Sequence, residues 1–290
     1  MIRVGAALAI LALASPAQAL VVRDMLGRDV ALAAPPARIV SLVPSVTETA
    51  FALGGDARLV GVSDFCDWPP AARAKPRVGG MVNPSLETIV ALKPDLVVGT
   101  DEGNREETFL QLQRLGIPVY VVHARRIAEM YELITRVGEL TGRTDAVAPL
   151  VAGIQRRIEA VRARVSGLPA PRVLYVLWPD PLLVPGRDSH LTEMIELAGG
   201  HSITAAEPVS YVRFGIEAAV ARAPEVIILA SHGGGTPVGR DKWERLESLP
   251  AVKSKRLYTA DGSVMHRYGP RVVEGIESLA RLIHPEAFVK

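Results

Sequence analysis

The chain has 290 residues, of which 49% are hydrophobic and 22% are charged, and its formal net charge is +2. This length and apolar content are enough for one packed core, or for two, and they exclude a disordered chain. The small net charge, with no basic run interleaved with aromatic residues, argues against a nucleic-acid partner.

Residues 1–19 have the pattern of a secretory signal peptide. Arg3 supplies a positive charge, the apolar stretch AALAILALA follows, and Ala17-Gln18-Ala19 is an A-x-A cleavage site. The apolar stretch is shorter than the roughly 20 residues that a membrane-spanning helix needs. The residue directly after the cleavage site is Leu20, not the cysteine that a lipid anchor requires. The sequence therefore predicts export to the periplasm by a cleaved signal peptide, without a lipid anchor.

The first half of the mature chain alternates short β-type runs with helical segments. The pattern predicts strands at 38–43, 58–62, 96–98 and 119–122. It predicts helices that end at Leu53 and that cover 86–92 and 105–115. Ser45 or Thr47 is the expected cap of the first helix, which Gly54-Gly55 ends. Continuous apolar strands between helices indicate a mostly parallel sheet covered on both faces.

Cys66 is the only cysteine of the chain, so no intrachain disulfide can form. It lies in the loop Asp64-Phe65-Cys66-Asp67-Trp68-Pro69-Pro70, after a predicted strand. The sequence leaves two interpretations open, a functional thiol and a small half-buried loop residue.

A long helix is predicted in the middle of the chain. Apolar residues recur there in steps of three and four, which makes one helical stripe: Val147, Leu150, Val151, Ile154, Ile158, Val161 and Val165. With Thr144 or Asp145 as its cap, this helix would be on the order of 30 Å long. We expect it to join two lobes, with the arginines of its other face solvated.

Two phrases recur in the same order on both sides of this helix. SLETIVALKPDLVVGT is matched by FGIEAAVARAPEVIILA, which aligns Glu87 with Glu217. The stretch from Thr47-Glu48 to Gly54-Gly55 is similar to the stretch from Thr192-Glu193 to Gly199-Gly200. The repetition predicts an α/β protein of two α/β lobes with central, mostly parallel sheets, joined by one long backbone helix. The predicted boundaries are 1–19 for the signal peptide, 20–143 and 167–290 for the lobes, and 144–166 for the helix.

The chain also resembles a known family. Four stretches are similar to the helical-backbone class of substrate-binding proteins of ABC importers, and within it to periplasmic cobalamin-binding proteins: RIVSLVPSVTETAFALG, VGVSDFCDWPP, KPRVGGMVNPSLETIVALKPDLVV and FGIEAAVARAPEVIIL. The resemblance covers essentially the whole mature chain. It implies a monomer that carries cobalamin or a related corrinoid, as transported ligand and not as cofactor, to a permease in the inner membrane. It also implies that Glu87 and Glu217 dock on that permease, although the dipole of a helix favours a carboxylate at the same positions.

Alternatives to a corrinoid follow from the same scaffold. A haem or iron–siderophore protein of this class would use His or Tyr as an axial ligand. A bare metal ion is a weaker fit, because the six histidines lack close ligand spacing and only His123 follows a strand toward a cleft. A hydrolase would need a nucleophile, and the glycine-rich stretch after Ser231, although similar to an oxyanion loop, has no G-x-S-x-G elbow beside it. We therefore predict a binding protein, not an enzyme.

The predicted ligand contacts lie beyond the carboxyl ends of strands, where open α/β sheets bind ligands. Aromatic residues make up only 5% of the chain, yet they recur in these loops. Phe65, Met81, Trp178 and Asp261 align with cleft positions of the cobalamin binders, which stack an aromatic where this chain has Met81. The full set of predicted ligand-binding residues is Phe65, Cys66, Trp68, Met81, Val82, Asn83, Asp101, Glu102, Asn104, Trp178, Tyr211, Asp261, His266 and Arg267.

Overall fold

The computed structural model of the chain describes residues 20–231 and 239–289. The predicted signal peptide at 1–19 and the glycine-rich stretch after Ser231 lie outside the described residues. In the part that is described, no helix is both long enough and apolar enough to cross a membrane.

The N-terminal lobe contains a four-stranded parallel sheet. Its spatial order is β4-β3-β5-β6, and the antiparallel hairpin β1-β2 precedes it. The strands are β1 Leu20–Arg23, β2 Asp29–Leu32, β3 Ile39–Ser41, β4 Leu59–Val62, β5 Leu96–Thr100 and β6 Val119–Val122. The helices are α1 Pro44–Ala52, α2 Leu86–Ala91, α3 Glu106–Arg114 and α4 Ile127–Thr141, with single 3-10 turns at Asp56–Arg58 and Pro70–Ala74. Every residue of β5 and β6 is buried, so both faces of this sheet are covered.

Helix α5, Thr144–Val165, joins the two lobes. It packs against α4 on one side and against α11 of the C-terminal lobe on the other. Its apolar stripe is the buried face, with Ile154, Ile158 and Val161 inside. The predicted cap at Thr144 or Asp145 was wrong, because Arg143 precedes the helix and no side chain caps it.

The C-terminal lobe repeats the parallel sheet, in the order β10-β7-β12-β13, and adds a small antiparallel sheet, β11-β9-β8. The strands are β7 Arg172–Val176, β8 Trp178–Pro179, β9 Leu182–Pro185, β10 His201–Ser202, β11 Tyr211–Arg213, β12 Val226–Ser231 and β13 Leu257–Asp261. The helices are α6 His190–Leu197, α7 Ile216–Ala221, α8 Arg240–Glu244, α9 Pro250–Lys253, α10 Gly262–Met265 and α11 Val272–Ile283, and a 3-10 turn covers Pro285–Phe288. Two lobes with parallel sheets, connected by one long helix, confirm the predicted fold class.

The repeated phrase forms the same corner in both lobes. Lys93 and Ala223, each just before the repeated proline, have positive φ angles of 48° and 45°. Asp95 follows the first corner and accepts hydrogen bonds from the backbone N–H groups at the start of β3, including that of Arg38 at 3.0 Å. Glu225 follows the second corner and accepts the backbone N–H of Arg172 at 2.8 Å, at the start of β7. The acidic residue therefore supplies an acceptor where the neighbouring parallel strand begins.

One further prediction about helices needs correction, and one helix of the N-terminal lobe was not predicted. Ser45 and Thr47 do not cap α1, because both lie inside the helix and Val43 precedes it. The hydroxyl of Thr47 bonds the side chains of Ser41 and Cys66 in the core instead. Helix α4 was not predicted, and it has no Ser, Thr, Asp or Asn at its start.

Candidate ligand-binding cleft

The carboxyl ends of the two parallel sheets face one cleft, because loops from both ends contact each other. The segment 261–271, which follows β13, reaches from the C-terminal lobe to the N-terminal lobe. On the N-terminal lobe it meets the loop after β4, the loop after β5 and the start of α1. The cleft is therefore bounded by the loops in which the sequence placed the ligand contacts.

The strongest contact across the cleft is made by Glu48 of α1. Arg267 donates from Nη1 to Glu48 Oε1 at 2.6 Å, and Arg271 donates from Nε to Oε2 and from Nη2 to Oε1, both at 2.9 Å. The Glu48 side chain is 2% exposed, and those of Arg267 and Arg271 are 12% and 11% exposed. We call these three residues the Glu48 clasp. Charge-assisted hydrogen bonds of this geometry, with one bidentate guanidinium, are among the stronger polar contacts in proteins.

Arg267 makes further contacts with the N-terminal lobe. Its Nη2 atom donates to Asp67 Oδ1 at 2.8 Å and to the Phe65 carbonyl at 3.2 Å. Burial opposes the charge of Arg267, but its hydrogen bonds to Glu48 and Asp67 outweigh that effect and raise its pKa. The indole of Trp68 lies over the Arg271 guanidinium, 4.7 Å from ring centroid to carbon, as in a cation–π contact.

Tyr268 forms a second bridge over the cleft. Its hydroxyl donates to the Glu102 carboxylate, which also accepts from Arg125 Nε at 2.7 Å. Burial, with smaller contributions from Tyr211 and Glu102, raises the pKa of Tyr268, so its phenol stays protonated. Its ring lies 4.4 Å from that of His190, centroid to centroid, and its hydroxyl is 3.3 Å from that of Tyr211.

Three predicted aromatic residues and one valine are largely exposed near this edge. Phe65 is 56% exposed, Trp68 42%, Trp178 48% and Val82 46%. Phe65 and Trp68 lie in the loop after β4, and Trp178, two residues after the end of β7, begins β8. Aromatic rings on both lobes, near the carboxyl ends of strands, thus keep about half of their surface in solvent, which is apolar area that a flat ligand can cover.

The loop after β5 is ordered by its own side chains. Asn104 is buried, accepts the Thr100 N–H at 2.9 Å and donates to the Met81 carbonyl at 2.6 Å. Gly103 has a positive φ of 113°, and the Met81 methyl group packs where a side chain on Gly103 would lie. The predicted residues Met81 and Asn104 are thus in contact, with Asn104 in a supporting position. Asp101 is exposed beside them and lies 2.8 Å from His123 Nδ1.

Cys66 lies below the cleft surface. Its side chain is fully buried, with Sγ 3.1 Å from the Thr47 hydroxyl and 3.2 Å from the Ser63 hydroxyl. Burial raises the pKa of the thiol. A protonated and buried thiol is neither a strong nucleophile nor a good metal ligand, so the structure places Cys66 in the core of the loop and not on the ligand-facing surface.

The remaining predicted contacts divide between the cleft and the outer surface. Asp261 is exposed and caps α10 by accepting the Ser263 N–H at 2.8 Å. His266 Nε2 lies 2.9 Å from the hydroxyl of the buried Tyr175. Asn83 instead lines a shallow groove with residues that begin α2 and α3, outside the network described above. Among the residues that the structure describes, no group of three His, Cys, Asp or Glu side chains is arranged to hold a metal ion.

Three residues of the interlobe network were missed from the sequence: Glu48, Glu193 and Arg271. Glu193 belongs to α6 and accepts the backbone N–H of Ile127, at the start of α4, at 2.9 Å. Arg126 and Asp188 add an ion pair nearby at 3.5 Å. The signal for Glu48 and Glu193 was present, because the two occupy the same place in the repeated Thr-Glu phrase.

Glu87 and Glu217 hold equivalent positions on the two lobes. Each is the second residue of a six-residue helix, Glu87 in α2 and Glu217 in α7, and each is exposed. The two helices begin at the carboxyl ends of their sheets, because each leads into the next parallel strand, β5 or β12.

Comparisons with known proteins agree with this architecture. The family model described as periplasmic binding protein matches residues 39–264. A relative from Bacillus subtilis (strain 168), the uncharacterized ABC transporter substrate-binding lipoprotein YvrC, is 30% identical over 273 residues, which are 91% of this chain and 85% of that one.

Two solved structures resemble the fold at comparable levels. The periplasmic vitamin B12 binding protein BtuF of Vibrio cholerae has a TM-score of 0.75 and 26% identity, over 88% of this chain and 99% of that chain. The periplasmic heme-binding protein RhuT from Roseiflexus sp. RS-1, in apo form, has a TM-score of 0.76 and 27% identity, over 86% and 98%.

Proposed function

This chain belongs to the periplasmic binding protein family, as a substrate-binding protein of the ABC-importer class, and from that membership we propose that it binds cobalamin or a related corrinoid. The ligand lies in the cleft between the lobes and is delivered to a membrane permease. The similarity to a vitamin B12 binding protein over nearly the whole of both chains supports this choice of ligand.

The observation that carries the proposal is the pair of aromatic surfaces that the two lobes present at the cleft. Phe65 and Trp68 on one lobe and Trp178 on the other keep 42–56% of their surface exposed. Exposed rings of this size are costly in water unless a ligand covers them, since burying apolar surface contributes about 25 cal/mol per Å². A corrin ring is a large, nearly flat apolar body and fits that requirement.

Polar groups around these rings suit the rim of a corrinoid. Asp101 and Asp261 are exposed carboxylates at the ends of β5 and β13, and carboxylate oxygens accept hydrogen bonds from amide N–H groups. The arginines that reach the cleft from the segment 261–271 are already engaged by carboxylates. A ligand with an amide rim therefore finds acceptors here.

A haem protein is the second candidate, and a specific observation favours it. The Tyr175 hydroxyl lies 2.9 Å from His266 Nε2, and the hydroxyls of Tyr211 and Tyr268 lie 3.3 Å apart. Tyrosine and histidine are both axial ligands of haem iron. The similarity to a heme-binding protein gives the same indication.

Visible absorption separates the two candidates. The purified protein is titrated with cyanocobalamin and, separately, with haemin. Corrinoid binding predicts saturation at one cobalamin per chain. Haemin should then bind only through non-specific sites, with the same low affinity for wild type and for Leu115→Ala. A Soret shift that saturates at one haemin per chain, without any response to cobalamin, would establish the second candidate instead.

We extend the proposal to export and delivery. A cleaved signal peptide at 1–19 releases a chain that begins at Leu20 and carries no lipid, although the relative from Bacillus subtilis is named a lipoprotein. Glu87 and Glu217, exposed on equivalent helices of the two lobes, are the proposed docking residues for a two-fold permease. The relatives are substrate-binding transport proteins, and we assign no enzymatic step to this chain.

A further inference from the structure

The repeated Thr-Glu phrase has the same structural role in both lobes. Glu48 in α1 contacts the segment that follows β13 of the C-terminal lobe. Glu193 in α6 contacts the segment that follows β6 of the N-terminal lobe. β6 and β13 are in each case the last strand of a parallel sheet in chain order, and the helices after them, α4 and α11, both pack on α5.

We infer that Glu48 and Glu193 are a symmetric pair of positioning residues that fix the spacing of the two lobes and thereby the width of the cleft. Each glutamate belongs to one lobe and accepts hydrogen bonds from the other lobe. We call the contacts that Glu48 and Glu193 make across the lobes the two ties. They involve the segment before α11 and the start of α4, the two helices that pack on α5, so together they restrain the rotation of one lobe against the other about α5.

The two ties differ in strength, and this makes the inference testable. Glu48 holds two guanidinium groups that are almost completely buried, and a neutral amide cannot balance their charge. Glu193 accepts one backbone N–H, at 2.9 Å, and an amide oxygen serves equally well as that acceptor. Glutamine should therefore replace Glu193 without effect but should not replace Glu48.

Backbone packing supports the Glu48 clasp. Gly269 lies between Arg267 and Arg271 and is buried against α1, so that an added side-chain carbon would lie 3.5 Å from Ser45 Cα. That distance is an ordinary van der Waals contact, so the backbone of the segment 261–271 packs against α1 at this point. The clasp therefore forms where the two lobes are in backbone contact.

The experiment measures the distance between the lobes without any ligand. Spin labels are attached to cysteines that replace the exposed residues Arg114 in α3 and Arg245 after α8, in a Cys66→Ser background. We expect one narrow distance distribution for the otherwise unchanged protein. Glu48→Gln and Glu193→Ala should each broaden or shift it, whereas Glu193→Gln and the surface control Glu106→Gln should leave it unchanged.

Unchanged distributions in folded Glu48→Gln and Glu193→Ala proteins would overturn the inference, and so would equal broadening by Glu193→Gln and Glu193→Ala. If Glu48→Gln does not fold, Arg267→Gln, which removes one of the two guanidinium groups from the clasp, gives the same test. The consequence for affinity rests on the proposed function. If the variant spends about one tenth of the time at the native spacing, its apparent cobalamin affinity falls about tenfold. Failure of the wild-type protein to bind cobalamin would refute the proposed function and leave the distance result intact.

Discussion

His190 shows how a single buried side chain makes the stability of this protein depend on pH. It is 2% exposed, its Nε2 atom lies 2.8 Å from the Met265 carbonyl, and burial lowers its pKa to about 4. In the unfolded chain its pKa returns to about 6.5. The unfolded state therefore binds more protons between these two values, so that the free energy of unfolding decreases as the pH falls from about 6.5 to about 4.

The expected effect of His190 between pH 7.5 and pH 5 is a loss of about 2 kcal/mol of stability. Urea unfolding at the two pH values measures it, in wild type and in His190→Gln, whose amide retains a donor for the Met265 carbonyl but does not titrate. The variant should lose less stability than wild type by about this amount. Equal losses in the two proteins would show that other groups carry the pH dependence.

At the residue scale, the sequence predicted positions better than partners. Phe65, Trp68, Trp178 and Arg267 do lie in segments that follow strands of the parallel sheets, because the alternation of strands and helices fixes which loops share an edge. Their neighbours could not be predicted, because Glu48 and Arg267 are 219 residues apart and meet only when the two lobes close on each other. Cys66 was placed in the right loop, but loop position alone does not distinguish a surface thiol from a core thiol.

At the scale of elements, the paired corners explain why the chain repeats its phrase. The backbone N–H groups at the start of a parallel strand have no hairpin partner and need a hydrogen-bond acceptor. Asp95 provides this acceptor for β3, and Glu225 provides it for β7. The positive φ angles of Lys93 and Ala223 turn the chain so that the acid points back to the neighbouring strand. Duplication preserved a local solution that both sheets require.

Removing this acceptor should destabilise each lobe. We expect Asp95→Ala and Glu225→Ala each to lower the free energy of unfolding by about 1 kcal/mol, because strand N–H groups lose a hydrogen-bond partner. Thermal unfolding measures the change, with Glu247→Ala as the control at an exposed carboxylate. Ligand affinity should be unaffected. If Asp95→Ala is as stable as the control, water replaces the carboxylate as acceptor without loss of stability.

Helix prediction succeeded where apolar periodicity was long and failed where capping decided the result. The stripe from Val147 to Val165 is long enough to define α5 on its own. Helix α4 begins without a short polar cap, and the Glu129 carboxylate instead accepts the N–H groups of Arg125 and Arg126 from inside the helix. For α1, Ser45 and Thr47 are residue types that commonly cap helices, but the Thr47 hydroxyl bonds Ser41 and Cys66 in the core instead.

At the scale of the whole molecule, the two lobes carry matched exposed glutamates, Glu87 and Glu217, which we propose dock on a permease. We expect Glu87→Arg with Glu217→Arg to abolish uptake and salt-sensitive binding to the importer, while ligand affinity stays within a fewfold, because exposed charges at an interface mainly control orientation and association rate. Transport by reconstituted importer and a ligand titration measure the two effects. If the helix dipole alone explains these glutamates, each change costs about 0.3–1 kcal/mol of stability and uptake continues.

The most direct test of the account is a calorimetric titration with cobalamin of wild type, Trp178→Ala and Leu115→Ala. Trp178 is 48% exposed and lies just beyond the carboxyl end of β7, whereas Leu115 is 56% exposed and directly follows α3, away from the carboxyl edge of its sheet. The account predicts one site per chain and a loss of about ten- to a hundredfold in affinity for Trp178→Ala, which corresponds to about 1–3 kcal/mol of lost apolar contact. Leu115→Ala should bind as wild type does. No heat with any corrinoid, or equal affinities for all three proteins, would contradict the claim that the cleft binds a corrinoid between its aromatic surfaces.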